Sequence, residues 1–299
     1  MLWLAVFAPR SIVGWAAQLI GSLLVLAAIA RIGVWLFPPW WTPYAAAACL
    51  GLVAVWQFRR GRLERGMPRD VPGWLRLAVF LVVAIFAAFQ VLHTRAAARI
   101  PDGAIVDLQL PLGRGRYLVV NGGDALLVNA HQASMDTSIA RLQPWRGNGY
   151  AVDLVAIDAT GLRASGLLPP DPAAYEIFGD PVLAPCAGQV VRVADGLPDM
   201  RVPQYDREHP AGNHVFLACN GVHVLVGHLR QGSIRVQPGA ELAVGDTIGL
   251  VGNSGGTDEP HLHVHAQRPG PADAPFAGDP LPMRIEGRFL VRGDRIGRR

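Results

Sequence analysis

Apolar and polar positions follow two different rhythms along this chain, and the change between them falls near residue 100. Before it lie three nearly unbroken apolar runs, Ser11–Phe37, Thr42–Phe58 and Trp74–Leu92. Each approaches the ~20 residues that carry a helix across ~30 Å of hydrocarbon. The pattern predicts three transmembrane helices, about 11–37, 42–58 and 74–92, in a region spanning 1–97. A secretory signal has one short apolar core followed by a cleavage site; here further spans follow, so the segment is expected to stay on the chain.

From Ile105 onward the apolar runs shorten and are broken by Gly, Pro, Asn and Asp: "AIVDLQLPL", "RYLVVNGG", "ALLVNAH", "YAVDLVAI", "PVLAPCAGQVVRVA", "NHVFLAC", "VHVLVGHL", "SIRV", "DTIGLVG" and "HLHVHAQ". Short strands at close spacing with turn signals between them predict an all-β, antiparallel, barrel- or sandwich-like domain. Its expected limits are 98–299, with a core at about 125–270. "GDPVLAPCAGQVV" and "GAELAVGDTIGLV" echo each other loosely, as a duplicated hairpin unit would. Residues 158–180, rich in Pro, Gly and Ala, read as a long surface loop forming one wall of a cleft.

Charge orients the predicted spans. The connector "RRGRLERGMPRD" carries Arg59, Arg60, Arg62, Arg65 and Arg69 against Glu64 and Asp70, which marks it as cytoplasmic. The uncharged "FPPWWTPY" supplies Trp40, Trp41 and Tyr44 for an outer interfacial belt. The amino terminus is therefore expected inside, on the cytoplasmic side of the membrane, and everything after His93 outside. The net charge of +4 sits largely in that connector, so it argues for a topology signal and not for a nucleic-acid partner. All 27 basic residues are Arg, which excludes a lysine nucleophile, a Schiff base and a P-loop lysine. An oxidising compartment would permit Cys186 and Cys219 to pair; two small buried thiols are the alternative.

Candidate chemistry gathers in "EPHLHVHAQ". In an extended chain His261, His263 and His265 project to one side, with Leu262 and Val264 on the other. Neutral imidazole is a common metal ligand, and a metal-activated water needs three protein donors plus an open position. His263 and Asp153, a carboxylate inside the apolar run "GYAVDLVAID", are candidate donors. His265 lies two residues, roughly 6.6–6.8 Å, further along and is expected behind a ligand or in the groove wall. The competing motif is "GNSGG", in which Ser254 would be a nucleophile; that elbow needs a following helix, whereas Pro260 and a strand come next. His228 is read as sharing a face with Val222, Val224 and Val226, while His223 points the other way into solvent. His214 and His209 are read as surface residues near loop ends, and His93 as lying at the membrane boundary.

"GNSGGTDEPHLHVHAQ", with "VLVGHLRQGSIRV" and "FGDPVLAPCAGQVV" before it, resembles the lysostaphin-type (LytM-like) zinc metallopeptidases, which cut peptide bonds in bacterial cell walls. The likeness covers roughly Ala151 to Gln267. It implies a small antiparallel β scaffold with duplicated halves. It also implies Zn2+ held in part by His263 and Asp153, with His261 and His228 assisting catalysis, and stem or cross-bridge peptides of peptidoglycan as substrate. One departure stands out: the usual first ligand is a histidine four positions before the aspartate, and Gly149 stands there. His131 in "LLVNAHQAS" is the expected substitute. The expected activity is a membrane-anchored zinc metalloendopeptidase acting on peptidoglycan, with the lipid bilayer as its other partner. The alternative is an inactive domain of the same fold that binds peptidoglycan or activates a partner wall hydrolase.

Overall fold

A computed structural model describes residues 9–298. The chain divides into two units: one takes in the chain up to Gly33 together with Pro38–Ala96, the other Val34–Phe37 and the chain from Ala97 onward. Among the described residues of the first unit three helices form: α1 (Ile12–Ile32), α2 (Thr42–Arg59) and α3 (Val71–Ala96). The Ser11 side chain accepts from the Gly14 amide at 3.1 Å and caps α1. α1 ends at Ile32, short of the expected Phe37, where Gly33 turns to extended backbone and its amide closes on the Ile29 carbonyl. α3 runs longer than expected at both ends.

Only α1 and α3 are long and apolar enough to cross a membrane; α2 is not. That corrects the expectation of three spans. α2 opens on Thr42, Pro43 and Tyr44, closes on Gln57 and Arg59, and fills much of its middle with alanine, which contributes little transfer free energy. α1 turns Gly14, Gln18, Gly21 and Ala28 inward. A Cβ on Gly21 would come within 3.1 Å of the Phe80 carbonyl, so glycine lets α1 and α3 approach closely. Leu81, Val82, Ile85, Phe86 and Phe89 of α3 point outward and are exposed. The Trp15 indole donates to Gln57 Oε1 at 2.9 Å, joining α1 to α2.

The second unit is mostly β. Its strands are β1 (Val106–Leu108), β2 (Gly115–Asn121), β3 (Val152–Ala156), β4 (Pro181–Leu183), β5 (Gly188–Ala194), β6 (Asn213–Cys219), β7 (Val222–Leu229), β8 (Glu241–Leu242), β9 (Thr247–Leu250), β10 (Leu262–Gln267), β11 (Pro280–Leu281), β12 (Met283–Ile285) and β13 (Arg295–Arg298). Nine form one sheet in the order β13-β2-β3-β10-β7-β6-β5-β8, with β11 on the end of β10. Its pairings are antiparallel, as is β4 with β9; only β1 and β12 run parallel. The two echoing segments pair reciprocally: β4 with β9 and β5 with β8.

Strict alternation divides the sheet into a packed face and a polar face. Val152 and Leu154 of β3, Val215 and Leu217 of β6, Val224 and Val226 of β7, and Leu262, Val264 and Ala266 of β10 enter one apolar core. The intervening residues of β3 and β10, Asp153 and the histidine row, are left on the opposite side. One strand expectation fails in this unit. "ALLVNAH" is not a strand but a turn running into a 3₁₀ segment at Ala130–Met135, capped by the Asn129 side chain. Residues 158–180 form the expected loop, broken by one 3₁₀ turn at Pro172–Ala174 and held down where Arg163, 4% exposed, grips Glu259 through Nε at 3.0 Å and Nη2 at 2.9 Å.

Cys186, in the turn between β4 and β5, is disulfide-bonded to Cys219 at the end of β6. Closing a 33-residue separation removes about 3–4 kcal/mol of chain entropy from the unfolded state. Cys186→Ala with Cys219→Ala is expected to lower the unfolding free energy of the β unit by about 2–4 kcal/mol, read by chemical denaturation. An unchanged midpoint would contradict that account.

Candidate functional site

Three central strands set the site's geometry by register alone. His263 on β10 lies opposite Asp153 on β3 and, on its other flank, opposite Gly227 on β7. The absent side chain at Gly227 leaves His263 open from that side. A Cβ there would stand 3.1 Å from Leu225 and 3.8 Å from the Cβ of His263.

His131 arrives from outside the sheet on the 3₁₀ segment. Buried Asn129 holds that segment in place: its amide donates to the carbonyls of Gly123 and Ala151 at 3.0 and 3.1 Å, and its oxygen accepts from the His131 amide. A histidine at Gly149, the position that the resemblance implied, would require the Met135 side chain to shift. A Cβ there would sit 2.6 Å from Met135 Cγ, in the very segment that delivers His131.

His131 Nε2 lies 2.9 Å from Asp153 Oδ2, and His263 Nδ1 lies 2.9 Å from Asp153 Oδ1. One donor atom from each of these residues falls within 4.8 Å of the others, close enough to hold a metal ion. Two imidazoles and a buried carboxylate form a donor set suited to a divalent cation of intermediate softness. The Asn121 amide donates to Asp153 Oδ2 at 2.8 Å, while its oxygen accepts from Arg292 Nη2 at 2.8 Å. That brace fixes the carboxylate plane.

His261 and His228 stand beside this cluster, their rings 4.6 Å apart. His261 Nδ1 lies 2.8 Å from the Glu259 carbonyl, and His228 Nδ1 lies 2.9 Å from that of Ser254. Carbonyls only accept, so both Nδ1 atoms carry protons and both Nε2 atoms present lone pairs in the neutral rings. His261 Nε2 is 3.7 Å from Asp153 Oδ1. Ser254 is not a nucleophile: it is wholly buried, its Oγ donating to the Leu229 carbonyl and accepting from the Asn213 amide.

The route of His228 to the site differs from the sequence reading. By alternation it belongs with Val224 and Val226 in the core; instead its φ of +60° and a bulge in the β6–β7 pairing turn its ring toward His263. His223, expected in solvent, lies on the site side opposite Gln267, half-buried with its ring 5.8 Å from Phe216. His214, expected at the surface, is buried between Phe216 and Phe276, with Nδ1 2.7 Å from the Gly212 carbonyl. His209 is exposed and pairs with Asp206. His93 belongs to α3 and stacks on Phe89.

The groove over the cluster has a volume of about 860 Å³. His263, His265, His228 and Leu225 form its floor. One wall is His131, Arg141, Leu142 and Trp145; the other is Pro203, Tyr205, Arg207 and Pro210. The 158–180 segment, expected as a wall, contributes nothing to it. The sequence reading also missed Asn121, Asn129 and Gln267, which touch or carry the cluster and have no spacing signature.

Proton affinities follow from burial and charge. Burial would raise the Asp153 carboxyl, but attraction to His131 and His261 and the hydrogen bond from His131 hold it well below its usual value. Burial opposes protonation of His131, yet the Asp153 charge raises it overall. Burial drives His228, His263 and His265 below the ordinary imidazole value, helped by neighbouring histidines. Burial also pushes His214 down to about 4. A ring that binds its proton more weakly when folded destabilises the fold as pH drops below its unfolded value, since the unfolded chain then holds more protons. His214 alone should therefore cost about 2 kcal/mol at pH 5 relative to neutral pH. His214→Asn retains a donor for Gly212 and cannot titrate. The metal-stripped variant is expected to lose that much less stability between pH 7.5 and pH 5, and equal losses would refute the assignment.

Residues 173–275 match the model of Peptidase family M23, so the β unit carries an M23 peptidase domain. The matched segment includes His228, His261 and His263; His131 and Asp153 precede it. Among solved structures the chain is similar to the catalytic domain of lysostaphin from Staphylococcus simulans, at 21% identity over 43% of this chain and 75% of that one, TM-score 0.28. It is also similar to the catalytic domain of the prophage-encoded M23 protein EnpA from Enterococcus faecalis, at 21% identity over 41% and 69%, TM-score 0.28. A putative M23 peptidase from Pseudomonas aeruginosa matches at 24% identity over 35% and 42%, TM-score 0.23. The comparison with curated proteins gave no match.

Proposed function

We propose that this chain is a membrane-anchored zinc metalloendopeptidase that hydrolyses peptide bonds in bacterial peptidoglycan. The observation that carries this reading is the convergence of His131, Asp153 and His263 beside the imidazoles of His261 and His228, at an open groove lined by His131, His228 and His263. When bound, zinc supplies a Lewis acid for water and the scissile carbonyl.

The chain's own residues do the rest. His261, its Nε2 lone pair 3.7 Å from Asp153 Oδ1 at the edge of the cluster, is the group that takes up the water's proton. His228, kept neutral by burial, offers Nε2 as an acceptor that orients an O–H or N–H in the groove. Arg141 and Arg207 on opposite walls suit a peptide bearing free carboxylates, and Trp145 and Tyr205 give it apolar surface.

α1 and α3 anchor the chain in the bacterial cytoplasmic membrane. With two crossings, an Arg-rich connector inside puts residues 98–299 outside and the amino terminus outside as well, where three crossings placed it inside. The outward apolar side chains of α3 support that reading. Tethering confines the groove to a layer near the membrane and raises its effective concentration there.

The test is metal analysis of the full chain in detergent, alongside digestion of purified sacculi with chelator and after zinc is restored. Stoichiometric zinc and chelator-sensitive release of peptides are expected. A chain that takes up no metal and releases nothing would leave an inactive wall-binding domain instead.

A further inference from the structure

Behind His263 runs a line of buried polar groups whose donors and acceptors can be ordered in only one way. Gln267 is fully buried. Its Nε2 stands 2.7 Å from the Pro275 carbonyl and 3.2 Å from that of Arg268. Carbonyl oxygens only accept, so the NH2 group must face them, which turns Oε1 toward His265 Nε2 at 3.2 Å.

An amide oxygen also only accepts. His265 therefore carries its proton on Nε2, and its Nδ1 is a lone pair in the neutral ring. That lone pair lies 3.0 Å from His263 Nε2, which must be the donor. In the neutral ring what remains on His263 is a lone pair on Nδ1, 2.9 Å from Asp153 Oδ1. A ring lone pair and a carboxylate oxygen at that distance repel unless a cation lies close to both, either a proton that makes His263 an imidazolium or a metal ion.

The seat of Gln267 is shaped to hold this direction. A Cβ on Gly147 would collide with Oε1, and a Cβ on Gly278 would stand 2.6 Å from Nε2. Two missing side chains thus enclose the amide, and two carbonyls set its orientation.

We propose that Gln267 and His265 are positioning residues that fix the tautomer of His263, so that Nδ1 meets the metal unprotonated while Nε2 stays committed to His265. This rests on the metal-site reading above. Partners of this kind behind a liganding imidazole contribute about 10–100-fold in metal affinity.

The test uses the full chain in detergent, with Zn2+ affinity measured by competition against a chromogenic chelator and 15N spectra of histidine-labelled, metal-free protein. Gln267→Leu and His265→Leu are each expected to weaken Zn2+ binding about 10–100-fold. His265→Asn should stay close to the wild type, because its Oδ1 falls where Nδ1 stood and accepts from His263 Nε2 without help from Gln267. The wild-type spectra should show His263 and His265 both protonated on Nε2. Affinities of both leucine variants equal to the wild type, or a neutral His263 in the metal-free protein with its proton on Nδ1 and none on Nε2, would overturn the proposal. Should Gln267→Leu fail to fold, the contrast between His265→Leu and His265→Asn decides it. A wild type that binds no Zn2+ sinks the metal reading instead, and the spectra still decide the tautomer.

Discussion

Asp153→Asn is expected to strip the metal from this protein and reduce peptide release from sacculi by at least about a thousandfold, while the domain stays folded. Asp153 is the one residue in contact with every part of the cluster: His131 and Asn121 at Oδ2, His263 and His261 at Oδ1. It is also the only anionic group among those donors. Two neutral imidazoles without a carboxylate leave a divalent ion short of a ligand and of countercharge. The asparagine keeps the shape and an oxygen for the Asn121 amide, so the cost to folding is limited to the lost attraction for the His131 proton.

The sign of the accompanying pH effect is fixed. The carboxyl is held below its unfolded value, so its stabilising contribution to the metal-free protein is present above about pH 4 and disappears as pH falls through the lower folded value. Asp153→Asn should remove that acid limb from the stability curve of the metal-free protein. A variant that retains stoichiometric zinc, or a tenth of the activity, would show that the donors lie elsewhere.

Most of what can be read from the sequence is read through period. The histidine row and Asp153 lie on regular strands, where alternation of two sends polar residues to one face and Leu262, Val264, Val152 and Leu154 to the other. Those faces need no tertiary knowledge, and the register between β3 and β10 then makes neighbours of residues far apart in the chain. The apolar helices are equally legible from length and composition, except that α2 shows how helix formation and membrane-spanning capacity are separate properties. The weak echo between 179–191 and 239–251 corresponds to strands that pair with one another's partners, a relation visible only once β4–β9 and β5–β8 have formed.

The misreadings occur where backbone departs from regular geometry. "ALLVNAH" has the composition of a strand, yet Asn129 captures its end as a cap and the segment leaves the sheet to deliver His131. His214 follows a loop and so looks solvated, but the Phe276 segment, more than sixty residues later, closes over it. Gln267 is one glutamine among several in the sequence; its role depends on carbonyls of Arg268 and Pro275 and on the space above Gly147, none of which has a local signature. Asn121 is similar, since its partners come from β3 and from near the carboxyl end of the chain.

His228 is the sharpest case, and it yields a prediction in which stability and activity move apart. A left-handed φ at a non-glycine residue costs about 1 kcal/mol or more, because Cβ crowds the backbone. The chain carries that cost at the residue whose imidazole must leave the core face to reach the groove. At ordinary strand positions alanine is the more stable replacement and glycine the less. Here the order should reverse. His228→Gly is expected to exceed His228→Ala in unfolding free energy by about 1 kcal/mol, since both lose the hydrogen bond to Ser254 and only glycine releases the strain. Both variants should retain zinc, because the donor set is untouched, and both should lose about 10²–10⁴-fold in turnover if the ring acts on the reacting groups. Denaturation curves, metal content and sacculus digestion of the pair read these effects separately. Alanine proving the more stable would remove the case for strain at this position, and undiminished turnover in either variant would exclude His228 from the reaction.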